Sequence, residues 1–523
     1  MKRIFLILIA FSAHAQELTL PDAIARALEK NADVVVEREA VNIAEASLLR
    51  AGAAYEPSLR GEARLRERTD PINSVLSGAP QGELSPTMRT LQTSASFVQL
   101  LPTGGTVSVF SGIGRDETNS FFALLTPAWT TSFGAEVRQP LLQNRRTDPA
   151  RRALRIARVD RTRALTSLRR TASEVTAAVE RAYWTVVAAR REIDIRESTV
   201  RVAEKQREDT RVRIEAGTQA EAELAQTIAE VERRRGEVMV AREHLIRAEN
   251  ALRNLIARDA EDEVWDAPLS VPRSASGSSG SSEEDRAQPR NSEELRGTRG
   301  TGEAIATALA NRPELQELAL RLDRHDVEID AALDRVRPQL DLVASYTGRG
   351  LAGSRNPDAF SPFGPIVIDD DLRGGLGQSL RTLDEFPDAS LGVSFVLPIG
   401  NTAAKQDVAI ARAQRRQSAA TLDAARQRVA LEVRNALASL DSARQRIEAA
   451  QAAVQAAEVQ LQGERDRFEG GVSNTFFILT RQNELTAARV AETVAITDLR
   501  KAETELARAT GTILEARGIE VLK

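Results

Sequence analysis

Past residue 15 the chain holds two histidines, His244 and His325, and it has no cysteine at all. A zinc site or a nucleophile–base pair needs several such groups converging on one point, and these two fall on separate helical stretches. Both are read as solvated helix residues. Asp369-Asp370-Asp371 could hold calcium, but no spaced set of oxygen ligands follows, so the triplet is read as part of a solvated loop. Glu232-Arg233-Arg234-Arg235 is read as a solvated helix face with i,i+4 pairing. No catalytic, metal or cofactor site is expected, and the chain is not read as an enzyme.

The residues that carry positional meaning are prolines and glycines, and they occur twice. Asp22-Ala23-Ile24-Ala25-Arg26-Ala27-Leu28 realigns with Glu303-Ala304-Ile305-Ala306-Thr307-Ala308-Leu309, and the same offset carries Pro57-Ser58-Leu59 onto Pro338-Gln339-Leu340. Further on, Glu215-Ala216-Gly217 realigns with Glu469-Gly470-Gly471. A duplication that keeps the chain breakers as well as the apolar positions implies two copies of one architectural unit. The expected organisation is a signal at 1–15, a first repeat at 16–271, a Ser/Gly-rich linker at 272–302, a second repeat at 303–514 and a tail at 515–523.

The signal reading rests on Lys2-Arg3, a short apolar run at 4–13 and Ala13-His14-Ala15 before Gln16. The absence of cysteine after that site excludes a lipid-anchored N-terminus and any disulfide. No later stretch offers the roughly 18 unbroken apolar residues of a transmembrane helix, so membrane contact must come through strands or an amphipathic surface. Loss of Lys2 and Arg3 leaves 69 basic against 75 acidic residues, a net charge of −6, and this balance argues against nucleic acid. Aromatics make up only 4% of the chain, so the buried surface should be thin seams between helices rather than a thick core.

Each copy opens with a helix. The first is capped by Thr19, with Pro21 and Asp22 in its first turn, and is expected to run to about Gly52 before Pro57. Alternation follows: Leu59, Gly61, Ala63 and Leu65 oppose Arg60, Glu62, Arg64 and Arg66. In the second copy Leu340, Leu342, Ala344 and Tyr346 oppose Asp341, Val343 and Ser345. Strand signals return at Phe133, Ala135 and Val137 and at Leu391, Val393, Phe395 and Leu397. Such patterning fits either a half-buried sheet or a barrel wall whose outside meets lipid. Export and the neighbouring helices favour the wall. Strand-like sequence at 91–112, bent at Pro102-Thr103-Gly104-Gly105, is extra; it either enlarges a barrel or lies outside it. Residues 348–386 are read as a long exposed loop.

Long helices close each copy. Val175, Val179, Ala182, Val186, Ala189, Ile193, Val200 and Ala203 keep a 3-4 spacing, as do Val429, Val433, Ala436, Leu440, Ala443, Ile447, Ala450, Val454, Ala457 and Leu461. Sustained over several heptads, this is coiled-coil packing. A continuous helix over 149–214 would be about 100 Å long. The return helix at 220–256 carries Leu224, Ile228, Val231, Val238, Leu245 and Leu252. Gly217 and Gly470-Gly471 sit where the outgoing helices must end tightly.

This order of elements, repeated twice, resembles the TolC-like outer-membrane efflux protein family. The match covers nearly all of residues 18–514. Its opening pattern falls on Leu20-Pro21-Asp22-Ala23-Ile24-Ala25-Arg26-Ala27-Leu28 and its hairpin-tip pattern on Arg467-Phe468-Glu469-Gly470-Gly471-Val472. The resemblance implies an α+β membrane protein: a homotrimer sharing one outer-membrane β-barrel, continued by a periplasmic α-helical coiled-coil barrel. It implies an exit channel of a tripartite efflux or type I secretion system, with a periplasmic adaptor, an inner-membrane transporter and outer-membrane lipid as partners. The tips that would dock the adaptor are Gly217, Thr218, Gly470, Gly471 and Val472. The family's acidic entrance ring maps to Glu223 and Phe477, with Thr480 three residues on, so the second position has lost its charge. The family's latch pair, a Tyr before and an Arg after the second tip glycine, is Phe468 and Ser473 here. Phe477 either faces the narrowing axis or packs, with Phe476, against the neighbouring return helix. The alternative to the channel is a periplasmic adaptor or exported coiled-coil scaffold, which would carry one hairpin within β-rich modules.

Overall fold

The computed structural model describes residues 18–69, 71, 78–80, 83, 85–217, 220–267, 269, 298–360, 364 and 367–520. The export signal, most of the Ser/Gly-rich linker and Thr218 lie outside the described residues. The chain divides into two compact units, one of residues 44–161 and 321–419, the other of the remaining segments.

The unit of residues 44–161 and 321–419 is built on one antiparallel sheet. Its strands β1 (Ser58–Thr69), β2 (Thr87–Leu100), β3 (Thr106–Thr118), β4 (Leu125–Pro140), β5 (Gln339–Arg355) and β6 (Phe386–Val396) follow one another in chain order. Cross-strand partners share a face, so the register decides where each alternation lands. Leu65 faces Leu91, Phe97 faces Val109, Val109 faces Ala135, Ala135 faces Tyr346 and Tyr346 faces Ala389. Along the same face Val137 meets Ala344, and Ala344 meets Leu391. The apolar alternations read separately in the sequence therefore form one continuous surface. It is open at Leu59 and Leu391, 79% and 77% exposed, and covered at Thr131 and Gly350, where the 379–383 segment lies on it. The opposite face carries Arg60, Glu62, Arg64, Gln92, Ser94, Glu136, Arg138, Arg349 and Asp388.

Residues 348–386 are only in part the exposed loop the sequence suggested. Strand β5 continues to Arg355, and Leu376–Arg381 forms a short helix, α7, against the strands. Thr131 donates to the Ser379 carbonyl at 2.8 Å, and Thr382 exchanges hydrogen bonds with Leu351. The glycines that looked like loop signals permit this approach: a Cβ at Gly350 would stand 1.8 Å from the Ser379 oxygen, and one at Gly348 would stand 2.7 Å from that of Leu383.

The first helix also differs, because it is broken in two: α1 (Leu20–Lys30) and α2 (Ala32–Gly52). Asn31 leaves the helical region, its side chain donates to the Leu255 carbonyl, and it accepts from the Asp33 N–H. The second copy breaks at the equivalent point, between α5 (Thr298–Asn311) and α6 (Pro313–Val336), where Pro313 occupies the first helical position. Helix α5 thus begins at Thr298, within the stretch read as linker.

The other unit is dominated by helices α3 (Pro149–Glu215), α4 (Glu221–Ile256), α8 (Thr402–Glu469) and α9 (Thr475–Thr510), followed by α10 (Ile513–Ala516). Val175, Val179 and Val186 of α3 pack with Leu252 and Ile256 of α4 and with Ala23, Ile24 and Ala27 of α1. Leu440 and Ala443 of α8 meet Ala502 of α9. Among the described residues no helix is long and apolar enough to cross a membrane.

Inside this apolar packing Glu180 is only 1% exposed. It accepts from the Thr504 hydroxyl at 2.8 Å and from Arg517 at 2.6 and 3.0 Å. A buried carboxylate stripped of its cation costs far more than the pair contributes. Arg517→Ala should therefore lower unfolding stability by about 3 kcal/mol. The double variant with Glu180→Met should regain most of that loss, as read by thermal melts of the detergent-purified protein.

Candidate functional site

The two helical hairpins end in glycine turns of matching geometry. Gly217 has φ +74° and Gly471 φ +75°, a region that costs a branched side chain heavily. At the second tip the Gly471 N–H donates to Phe468 and the Val472 N–H to Arg467, the paired bonds of a Schellman ending. Asn474 then caps α9 by accepting from the Phe477 N–H at 3.3 Å. No atom lies within 4 Å of a Cβ placed on Gly217 or Gly471, and Val472 is 78% exposed. Gly217 and Gly471 both stand clear of other described residues.

The structure brings the tips together. Glu223, at the start of α4, accepts from the Thr475 hydroxyl at the start of α9 at 3.1 Å. The Arg213 guanidinium, near the end of α3, lies 4.8 Å from the Phe468 ring centroid at the end of α8. Phe468 thus keeps the aromatic character of the family's latch position but engages a cation through its face. Ser473 donates to Glu464 on its own hairpin.

On α9 the covered stripe is Thr475, Ile478, Leu479 and Gln482, a helical i, i+3, i+4, i+7 set. Phe476 and Phe477 fall outside it, 56% and 49% exposed, their rings stacked edge to face. Phe477 and Thr480 share the open face, and the Thr480 hydroxyl returns its proton to the Phe476 carbonyl at 2.9 Å.

One residue read as solvated proves central. Arg234 is 2% exposed. It continues a seam of Thr227, Val231, Val238, Ala241, Ala248 and Leu252, whose 4-3 steps demand a residue at 234. Ile228, expected in that seam, is 45% exposed. The polar members Thr227 and Arg234 displaced the apparent register, because an apolar count passes over them. Arg234 donates to the Thr199 carbonyl of α3 at 2.9 Å, to Gln482 and Asn483 of α9 at 3.2 Å, and to Glu230 at 2.7 Å. Arg233 adds a bond to Asn483 at 3.0 Å, while Arg235 pairs at the surface with Glu204 and Glu232.

Burial works against ionisation of Glu230, but hydrogen bonds from Arg233 and Arg234 outweigh it and hold the carboxyl below its ordinary range. His244 is exposed, as expected; His325 is largely covered and contacts Glu328 at 3.1 Å. Asp369 caps a short turn through the Asp371 N–H, and Asp370 pairs with Arg373.

Comparison with known proteins fits these hairpins and this sheet. Residues 304–512 match the family model described as outer membrane efflux protein. That match spans the second repeat alone. The CmeC outer membrane channel of Campylobacter jejuni superimposes with a TM-score of 0.61 at 15% identity, over 94% of this chain and 86% of that one. The outer membrane protein VceC of Vibrio cholerae gives 0.61 at 14% identity, over 94% and 96%. A membrane protein from Pseudomonas aeruginosa gives 0.61 at 18% identity, over 94% and 90%. Likeness at these identities establishes the fold over both repeats. No curated protein sequence matches the chain.

Because the folded Glu230 carboxyl titrates below its unfolded value, its support for Arg234 is complete above pH about 4.3 and is lost as pH falls further. The thermal midpoint of the purified protein should be flat from neutral pH to about pH 5 and fall on further acidification. Arg234→Met, which removes the bonds to α9 while filling the seam, should lower the midpoint at neutral pH and flatten that acid dependence. An acid dependence unchanged by the variant would separate Glu230 from Arg234.

Proposed function

We propose that this chain is the outer-membrane exit channel of a tripartite efflux or type I secretion system. It carries small molecules or exported polypeptide from the periplasm or an inner-membrane transporter to the exterior. The observation that carries the reading is the single sheet with one continuous apolar face and one charged face. A water-soluble sheet of this size would need a covering layer on its apolar side, whereas a membrane wall needs none. The adaptor alternative expects one hairpin among β-rich modules, and the chain has two hairpins and one sheet.

In this reading the sheet lies in the outer membrane and the hairpins in the periplasm, in a homotrimer. The turns at Gly217, Gly470, Gly471 and Val472, with Thr218 beside them, dock the hairpin of a periplasmic adaptor coupled to an inner-membrane transporter. Glu223, Phe477 and Thr480 border the entrance. Three copies of Phe477 would narrow it by packing and by excluding water, where an acidic ring would attract cations.

Val393 and Ser394 point to opposite faces. Val393→Arg places a charge against lipid at a cost of about 2–4 kcal/mol and should reduce the heat-resistant trimer recovered from outer membranes. Ser394→Arg should leave it near wild type. The reverse pattern would overturn the assignment of faces, and an equal effect of both would remove the membrane wall.

Docking is tested separately by Gly217→Val with Gly471→Val. Forcing a branched residue to positive φ costs roughly 1–2 kcal/mol per turn and distorts both tips. Trimers should still reach the membrane, while efflux measured with the partner transporter falls. Undiminished efflux would take docking away from these turns.

A further inference from the structure

The second repeat places two strands, β5 and β6, between its short helices and its long hairpin; the first places four. The added pair is the hairpin β2–β3. It could hang from the wall or belong to it, and three observations choose. First, β2 lies against β1 and β3 against β4 in an unbroken register, so β1 and β4 never touch. Second, that register carries the apolar residues across the addition: Leu91, Ala95 and Phe97 of β2 and Val107, Val109 and Ile113 of β3 align with Leu65, Gly61 and Leu59 on one side and with Val137, Ala135 and Thr131 on the other, with Thr93, Gln99, Ser111 and, opposite Leu91, Arg115 on the same face. The reverse face of the hairpin carries Gln92, Ser94, Ser108, Gly112 and Gly114, with Phe110 laid over Gly134.

Third, the hairpin's turn is placed as a membrane wall requires. Leu101 and Gly105 close it with a 2.7 Å bond, and Gly104 lies against Asn144 and Arg151, where β4 passes into α3. The tight turn is therefore at the helix end of the sheet. Of the connections at the other end, 70–86 and 356–385 are long and 119–124 is short. Short turns on the periplasmic side and longer loops outside are the rule for outer-membrane strands. The polar face also borders an open hollow of about 700 Å³ lined by Glu62, Arg64, Gln92, Ser132 and Arg349 among others.

The sheet nevertheless stays open, with β1 and β6 at its edges. Every unpaired backbone group in hydrocarbon costs several kcal/mol, so each edge must find a strand. β1 has 12 residues and β6 has 11, and they run in opposite directions, which suits antiparallel pairing. Resting on the trimeric outer-membrane reading above, we propose that β6 of one protomer pairs with β1 of the next, so that three six-stranded sheets close into one barrel of eighteen strands. Without the added hairpin the same closure would use twelve. At ~4.8 Å between strands and a tilt of ~40°, eighteen strands give a wall about 36 Å across between backbones, against about 24 Å for twelve. The barrel is then a wide, polar-lined vestibule. Restriction of cargo falls to the helical end.

The chain's lack of cysteine makes disulfide trapping direct. Gly61→Cys is combined in turn with Ala389→Cys, Leu391→Cys and Val393→Cys, and separately with Ala135→Cys, all in the full-length protein in outer membranes. The proposal expects at least one β1–β6 pair to give covalent dimers and trimers on oxidation, and the Gly61–Ala135 pair to stay unlinked. Projection images of purified trimers should show a wall about 36 Å across, falling to about 24 Å when residues 87–118 are deleted. Linkage of Gly61→Cys to Ala135→Cys, or a wall already near 24 Å in the intact protein, puts the hairpin outside the barrel and overturns the proposal while leaving the channel standing. Absence of trimers from the outer membrane would instead overturn the channel reading. Should the deleted chain fail to assemble, the linkage pattern and the intact wall diameter still decide.

Discussion

In the outer-membrane reading proposed above, backbone pairing in hydrocarbon is the constraint from which the rest of the sheet follows. An open sheet is tolerable in water, where solvent satisfies its edges, but not in lipid. A sheet of six strands in chain order supplies every pair except the outermost, and in that reading another copy supplies those. Oligomerisation is then part of the fold of the sheet. The exposed Leu59, Phe133, Tyr346, Leu391 and Phe395 follow the same logic: a side chain facing lipid needs alternation with a polar partner face and no covering layer.

Glycine serves two opposite purposes in the two units. At Gly217 and Gly471 it supplies a positive φ with nothing near it, so the requirement there is purely conformational. In β5 the backbone is ordinary and the requirement is space, since Gly348 and Gly350 leave room for the 379–383 segment to lie on the strands. The same residue type therefore reads as a break in one case and hides a continuing strand in the other. A sequence reading that treats glycine as punctuation is right about the hairpin tips and wrong about where β5 ends.

The architecture was legible in the sequence to the extent that it repeats or alternates. Duplication exposed the repeats, period two exposed the faces of β1, β4, β5 and β6, and the 3-4 spacing of α8 predicted its buried residues closely: Val429, Val433, Ala436, Leu440, Ala443, Ala457 and Leu461 are all buried. What stayed hidden depends on partners distant in sequence. Asn31 breaks a helix because its side chain serves the Leu255 carbonyl, and nothing near residue 31 signals that. Glu180 is buried because Thr504 and Arg517 come to it from more than 300 positions away. At the tips, sequence located Glu223 and Phe477 but could not foresee that Glu223 would be held by Thr475, or that Arg213 would lie over Phe468.

Arg234 shows why polar residues are retained in a helical seam that would pack better without them. Coiled-coil seams of Val, Leu and Ala are permissive, and helices joined by them can slide or rotate at small cost. An arginine in the seam has fixed partners on two other helices, here Thr199 of α3 and Gln482 and Asn483 of α9, and every other register leaves its charge buried and unpaired. The seam thereby has one preferred arrangement and a substantial penalty for leaving it. In the channel reading proposed above, an entrance that is shut at rest and opens on demand uses this property: two discrete arrangements separated by a few specific bonds, rather than a continuum of loosely packed ones. The bonds linking α4 to α9 near the tips, from Glu223, Arg233 and Arg234, together hold the one register observed.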